Sequence, residues 1–272
     1  MTGRFSGRRV LVTGASRGIG AATAQRFAAE GADVAIVART LEQHDHLAGS
    51  LNETAARLRD FGGRVAVVAA DMTDEDARAR IVPDAVEGLG GAIDVLVNNA
   101  AAAMYAPLRN FPLKRRRIVF EVNVHAPLDL AQAVLPAMVE RGEGWIINLS
   151  SATARPVGGS TMAVYGASKA ALNRITSGLA LELSGTGVRV NTVEPRAAVM
   201  SEGATALIGD TVRADQIESM EEMVEAIVAL ADCPAELTGR TCVSLDLIDE
   251  LQLTVHALDG TPPSSTPKGI RS

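Results

Sequence analysis

The stretch from Arg9 to Glu30 limits the folds open to this chain more than any other. Arg9-Val10-Leu11-Val12 is a short apolar, β-branched run, and it reads as a strand buried on both faces. It runs into Thr13-Gly14-Ala15-Ser16-Arg17-Gly18-Ile19-Gly20, then into a helical pattern from Ala21 to Glu30. A second apolar run, Asp33 to Ala38, completes a strand–turn–helix–strand unit of about 30 residues. Glycines in such a turn permit a tight bend and let backbone amides approach an anion at the helix N-terminus. In this order of elements the anion expected is the pyrophosphate of a dinucleotide.

The alternation continues. Strands are expected at Arg64–Ala69, Ile93–Val97, Trp145–Leu149 and Val188–Val193, and a last one at Thr241 to Leu245. Helical patterns lie between them: Asn52–Phe61, a long helix from Lys114 to near Arg141, a helix from Tyr165 to about Glu182, and Met220–Ala231. Strands alternating with helices make an α/β protein, a doubly wound parallel sheet of about seven strands with helices on both faces. The 47% hydrophobic content supplies such a core, and the 3% of aromatic residues argues against a stacking surface for carbohydrate or nucleic acid. Residues 1–259 read as one domain, with 196–216 as a lid and 260–272, rich in Pro, Ser and Thr, as a flexible tail.

The net charge of -6 disfavours polyanionic partners, so no nucleic acid is expected. Lys114-Arg115-Arg116-Arg117 reads as a solvated helix end. Cys233 and Cys242 form no CxxC, and His44-x-His46 has no companion cluster, so no metal is expected and a reducing, cytoplasmic setting follows. No continuous apolar run approaches the ~20 residues of a membrane span, and the basic start from Arg4 to Arg9 leads into too few apolar residues for a signal peptide.

Several residues are candidates for chemistry. Tyr165 and Lys169 stand four apart on one helix face. A phenol has a pKa of about 10, and a nearby ammonium would lower it toward a useful proton-transfer range. Alone, the pair would usually be ordinary packing. Arg39, at the end of the second strand where an acid would select a ribose 2′-OH, instead suits a 2′-phosphate, and Arg17 adds a second charge. NADP(H) is therefore expected over NAD(H). Asp71 sits where the third strand would meet an adenine, while Asp74 is the better helix cap. Asn98 and Asn99 follow the fourth strand, where they can satisfy neighbouring backbone groups. Asn123 lies beside the apolar stripe of the long helix, where a buried amide needs partners and can bend the helix or hold a water. Ser150 and Ser151 end the fifth strand.

From about Val10 to Pro195 these motifs resemble the short-chain dehydrogenase/reductase family, oxidoreductases of a single Rossmann domain. The Thr-Gly-x-x-x-Gly-x-Gly turn falls on Thr13, Gly14, Gly18 and Gly20, and Asn-Asn-Ala-Gly on Asn98-Asn99-Ala100 with Ala101 in the last place. The Asn-Ser-Tyr-Lys tetrad falls on Asn123, Ser151, Tyr165 and Lys169. The resemblance implies that Tyr165 is the acid–base and that Lys169 lowers its pKa and binds the nicotinamide ribose. It implies further that Ser151 binds the substrate oxygen and that Asn123 holds a water relaying protons from Lys169. The implied cofactor site comprises Thr13, Gly14, Ser16, Arg17, Gly18, Ile19 and Gly20, with Arg39, Asp71, Met72, Asn99, Ala100, Tyr165, Lys169 and Pro195. Homodimers or homotetramers, a small-molecule carbonyl/alcohol substrate and the absence of a membrane partner are implied likewise.

Three departures stand out. The Ser151-to-Tyr165 interval is one residue longer than usual, which keeps Ser150 open as an alternative. Ala101 puts a methyl group near the cofactor. Pro195-Arg196 replaces Pro-Gly, and Arg adopts positive φ less readily than Gly. The lid residues Met200, Ala204, Ala206, Leu207 and Ile208 suggest a small to medium, apolar substrate. A looser likeness joins the chain to hydroxysteroid-dehydrogenase-like and citronellol-dehydrogenase-like proteins. A 3-oxoacyl-carrier-protein reductase and an NADP(H)-binding regulator without turnover are the rival readings.

Overall fold

The computed structural model describes residues 3–42, 48–155, 161–202, 204–205, 212–213 and 216–263. Seven strands make one sheet: β1 (Arg9–Thr13), β2 (Asp33–Ala38), β3 (Val65–Ala69), β4 (Val95–Asn98), β5 (Gly144–Leu149), β6 (Val188–Glu194) and β9 (Thr241–Val243). All pairings are parallel, in the order β3-β2-β1-β4-β5-β6-β9. The order reverses between β1 and β4, and a crevice opens there at the strands' carboxyl ends, the usual ligand position in such sheets. β7 (Ala198–Val199) and β8 (Ile217–Glu218) pair separately, also in parallel.

Val10, Leu11 and Val12 of β1 are fully buried, as a strand covered on both faces must be. One apolar layer joins the sheet to α1 (Gly18–Ala29), α2 (Leu51–Arg59) and α7 (Met220–Leu230). The other joins it to α3 (Glu75–Leu89), α5 (Ala126–Arg141) and the end of α6 (Ala163–Glu182). Burying each Val, Leu or Ile side chain contributes about 1.5–3 kcal/mol, which is what drives these helices onto the sheet.

The expected elements are all present, with ends moved by a residue or two. The last strand is the exception in kind. It stops at Val243, and Ser244–Leu251 forms a helix, α8. Leu245, Leu247, Ile248 and Leu251 recur at helical spacing, and that periodicity overrides extension of the strand through Leu245.

The long helix is continuous but not uniform. It consists of α4 (Leu113–Phe120), a π-helical turn at Glu121–His125, and α5. Asn123, fully buried, sits in the π turn. By length and composition Leu113–Arg141 could cross a membrane, although half of its most apolar stretch is buried inside the protein. Interspersed residues such as His125 and Asp129 break any continuous apolar run, which is why average and run give different answers. His44 and His46, the lid residues Ala206, Leu207 and Ile208, and most of the tail lie outside the described residues.

Candidate active site

The crevice holds a cleft of about 550 Å³. It is lined by Gly14, Ser16, Arg17, Gly18 and Ile19 from the turn, Arg39 from the end of β2, Asp71 and Met72 after β3, and Asn99 and Ala100 after β4. Thus ten of the expected cofactor residues share one surface. Thr13 lies beneath it, buried, and Gly20 is buried in the first turn of α1.

Close approach explains the glycines. Gly14 has φ 66°, and a Cβ there would lie 2.8 Å from both the Ala100 Cα and the Asn99 Nδ2. Thr13 ties the two strand ends together, its hydroxyl accepting from the backbone N–H of Asn99 and of Ala100 at 3.0 Å each. The Asn99 amide donates to the carbonyls of Thr13 (2.8 Å) and Gly14 (3.2 Å), the backbone role expected of it. Asn98 turns instead to Asn148 of β5 (2.8 Å), which donates in turn to Thr176 of α6 (2.9 Å). The N-terminus of α1 has no capping side chain, so its first amides face the cleft without a partner from a cap. A helix N-terminus and a backbone close enough to touch a ligand fit a dinucleotide pyrophosphate.

Arg39 is 73% exposed at the cleft rim and lies 3.8 Å from the Asp71 carboxylate. Asp71 also accepts from the Thr73 N–H and hydroxyl, both at 2.9 Å, while Asp74 caps α3 through the Ala77 N–H. Arg17 donates to the carbonyls of Ala48 and Gly49, each at 2.8 Å, so two of its five N–H donors are committed to that loop. Arg115, read from sequence as part of a solvated helix end, also lines the cleft, with Ile118, Val122 and Ser201. Nothing in the spacing of a basic run points one of its members inward.

The tetrad residues converge beside this cleft. Tyr165 and Ser168 to Lys169 are buried in the first turns of α6. The Ser151 hydroxyl accepts from the Thr153 N–H (3.3 Å) and hydroxyl (3.0 Å), and it lies near enough to the Tyr165 phenol to pull against the rise in its pKa. Ser150 is buried, and its hydroxyl has no partner among the described residues. Of the two serines, Ser151 faces the tyrosine. Asn123 accepts from the Ala102 N–H (2.8 Å) and donates to the Ala102 carbonyl (3.0 Å) and the Ser168 hydroxyl (3.0 Å). It therefore braces the segment after β4 against α6.

Electrostatics around the pair differ from the simple expectation. Burial raises the Tyr165 pKa above that of a free phenol, Tyr105 adds to the rise, and only the Ser151 hydroxyl opposes it. Lys169 donates to the Leu149 carbonyl at 2.7 Å, and its Nζ lies 5.9 Å from the phenol ring centre. Burial pulls its own pKa down to about 8. Helical spacing puts the two residues on one face, but β5 captures the ammonium before it can neutralise a phenolate. Tyr105 is a site residue that sequence reasoning missed; its ring meets Tyr165 edge-on, centroids 5.7 Å apart.

The Arg196 departure resolves in the backbone. Gln252 is the one non-glycine residue at positive φ among the described residues, so the chain after Pro195 turns without it. Glu218 of β8, buried, accepts from the Arg196 N–H (2.9 Å) and the Ala197 N–H (3.4 Å), and the Ser244 hydroxyl accepts from the Arg196 N–H at 3.2 Å. The Arg196 side chain pairs with Asp246 of α8. A carboxylate clamp thus does here what glycine's freedom would do.

The model of the short chain dehydrogenase family matches residues 8–207. This chain belongs to that family. Its members are NAD(P)-dependent oxidoreductases acting on CH–OH groups. A short chain dehydrogenase of Pseudocercospora fijiensis is 35% identical over 249 residues, 89% of this chain and 76% of that protein. Hydroxysteroid dehydrogenase-like protein 2 of Danio rerio is 30% identical over 248 residues, 91% of this chain. The chain spans 59% of that relative's length. Among solved structures, a protein assigned as an NAD(P) dependent gluconate 5-dehydrogenase from Beutenbergia cavernae, with NADP bound at low occupancy, has a TM-score of 0.78. It is 32% identical, and the match covers 88% of this chain and 95% of that one.

Proposed function

We propose that this chain transfers a hydride between NADP(H) and a carbonyl/alcohol pair, with Tyr165 as the acid–base. The observation that carries this reading is the convergence of Ser151 and Lys169 on the Tyr165 phenol, with Asn123 tying α6 to Ala102 of the cofactor cleft. The nicotinamide, when bound, supplies or accepts the hydride. Everything else is the work of the protein's own groups.

A buried phenol with a raised pKa is protonated near neutrality and can give its proton to a carbonyl oxygen. Ser151 is placed to hydrogen-bond the same oxygen as negative charge develops on it. Lys169, with a pKa of about 8, stays mostly cationic near neutrality yet gives up its proton readily, which suits a relay that recharges the tyrosine. Asn123 has both amide N–H groups committed, so a relay water would be held through the remaining lone pair of its Oδ1.

The glycine turn would hold the pyrophosphate, and Asp71 and Met72 would border the adenine. The exposed Arg39 is the group we assign to a 2′-phosphate. The remaining fork of Arg17 can assist it. Met200 and Ala204, at the root of the lid, favour a small to medium, apolar substrate. All four tetrad residues are present, which favours turnover over cofactor sensing. We read residues 1–259 as one domain that assembles as a homodimer or homotetramer, and the two buried free thiols suit a reducing, cytoplasmic setting.

The test is a carbonyl/alcohol panel with NADPH and NADP⁺, run with cofactor titrations of the wild type and Arg39→Ala. We expect turnover on at least one member, and NADP(H) binding weakened about tenfold by the substitution, or ~1.4 kcal/mol, with NAD(H) binding unchanged. Tighter NAD(H) binding, indifferent to Arg39, would sink the cofactor assignment. No cofactor oxidation or reduction on any member would favour the regulator.

A further inference from the structure

We propose that Glu194 is a positioning residue for this reaction: acting through Arg155, it fixes the turn that presents the Ser151 hydroxyl to Tyr165. The inference rests on the catalytic reading above.

The turn in question is short. Ser151 accepts from the Ala154 N–H through its carbonyl (2.8 Å), and Ala152 accepts from the Arg155 N–H (3.2 Å). At its start the turn is anchored to the sheet, where the Ser150 N–H donates to the Val193 carbonyl of β6 at 2.8 Å. Its middle is pressed on α6 at Gly166, where a Cβ would overlap the Thr153 carbonyl. Its far end is Arg155, whose Nε lies 2.9 Å from Glu194 Oε1.

Glu194 ends β6, and its side chain is 1% exposed, whereas that of Arg155 is 51% exposed. The contact is charge against charge: among the described residues neither carboxylate oxygen receives a hydrogen bond. Such a carboxylate is costly to bury, and burial pushes its pKa up while Arg155 pulls it back. An ion pair with one partner half in water contributes little to stability. What the pair does supply is geometry. It ties the end of the serine turn to a strand that is itself hydrogen-bonded along its length to β5, so the Ser151 hydroxyl cannot drift from the phenol without breaking it. Catalytic geometry is sensitive at this scale, since a misplacement of ~1 Å can cost on the order of a hundredfold in rate.

The test uses the full chain with Glu194→Gln, Glu194→Asp, Arg155→Met and the double variant Glu194→Gln/Arg155→Met. Three quantities are read: amide hydrogen exchange of Ala154 and Arg155, NADPH affinity, and kcat and KM on a panel substrate. We expect Glu194→Gln to speed exchange in that turn about tenfold and to lower kcat about tenfold or more, with NADPH affinity kept within about twofold. Glu194→Asp should recover part of the kcat loss. The double variant should be no worse than the worse single, because one interaction is lost in each. Wild-type exchange and kcat in Glu194→Gln would overturn the proposal, as would additive losses in the double variant. Should Glu194→Gln fail to fold, Arg155→Met, altered at the half-exposed partner, must show the same exchange and kcat changes. Hydrogen exchange needs no turnover, so an enzyme inactive on the whole panel would refute the catalytic reading while this readout still decided the tether.

Discussion

Replacing Gly166 by Ala sets two known effects against each other at one atom. Ala in a helix is favoured over Gly by about 1 kcal/mol, so propensity alone predicts a more stable protein. The added Cβ, however, would overlap the Thr153 carbonyl oxygen, a backbone atom of a short turn that cannot rotate aside as a side chain would. Overpacking of this kind costs about 1–3 kcal/mol. The net is a loss of up to ~2 kcal/mol, which in a protein of this size lowers Tm by at most about 8 °C. Activity should suffer more than stability. Relief of the overlap pushes the serine turn away from α6 and carries Ser151 off Tyr165, so kcat should fall by about ten- to a hundredfold. Cofactor affinity, set across the cleft, should hold. Thermal unfolding, NADPH titration and steady-state kinetics on one preparation give all three numbers. A raised Tm with wild-type kcat would show that the turn is not pressed against the helix, and the reasoning would fail.

Asn123→Ala removes one bond to each of the Ala102 N–H, the Ala102 carbonyl and the Ser168 hydroxyl. With buried groups left unpaired it should cost about 2–4 kcal/mol in urea unfolding, and a loss below ~0.5 kcal/mol would refute the bracing role. Lys169→Met reads a buried charge. The folded pKa is lowered from 10.5 to about 8, so between those values the unfolded chain binds the extra proton and wild-type stability rises with pH. Below pH 8 both states are protonated and the charging penalty is constant. The wild type should therefore gain up to ~3 kcal/mol on Lys169→Met across that window, measured by unfolding at fixed pH values; parallel pH profiles would contradict it.

Much of the fold was legible because local signals agreed with each other. Apolar runs such as Val10–Val12 mark strands buried on both faces, and Asp74 caps its helix as its position predicts. The glycine turn and its neighbours also declared themselves, since a turn at positive φ packed against Asn99 and Ala100 requires glycine at Gly14. Less legible were features made by contacts distant in sequence. The π turn holds a buried amide with partners on two other segments, which periodicity does not register. The clamp of Glu218 on Arg196 joins residues 22 apart through a strand pair two residues long. The placement of Tyr105 against Tyr165 and the capture of Lys169 by the Leu149 carbonyl depend on where a loop and a strand end arrive. For the same reason the expected lowering of the tyrosine pKa by the lysine could not be judged from spacing. Four residues along a helix fix a face but not the direction of a long side chain.

On the proposed reading the Tyr165 phenol moves the proton. The most direct measurement is turnover of Tyr165→Phe on a substrate accepted by the wild type, with NADPH affinity determined on the same sample. Tyr165→Phe should lose about a thousandfold or more in kcat with cofactor affinity unchanged. Turnover retained near the wild-type rate would contradict it.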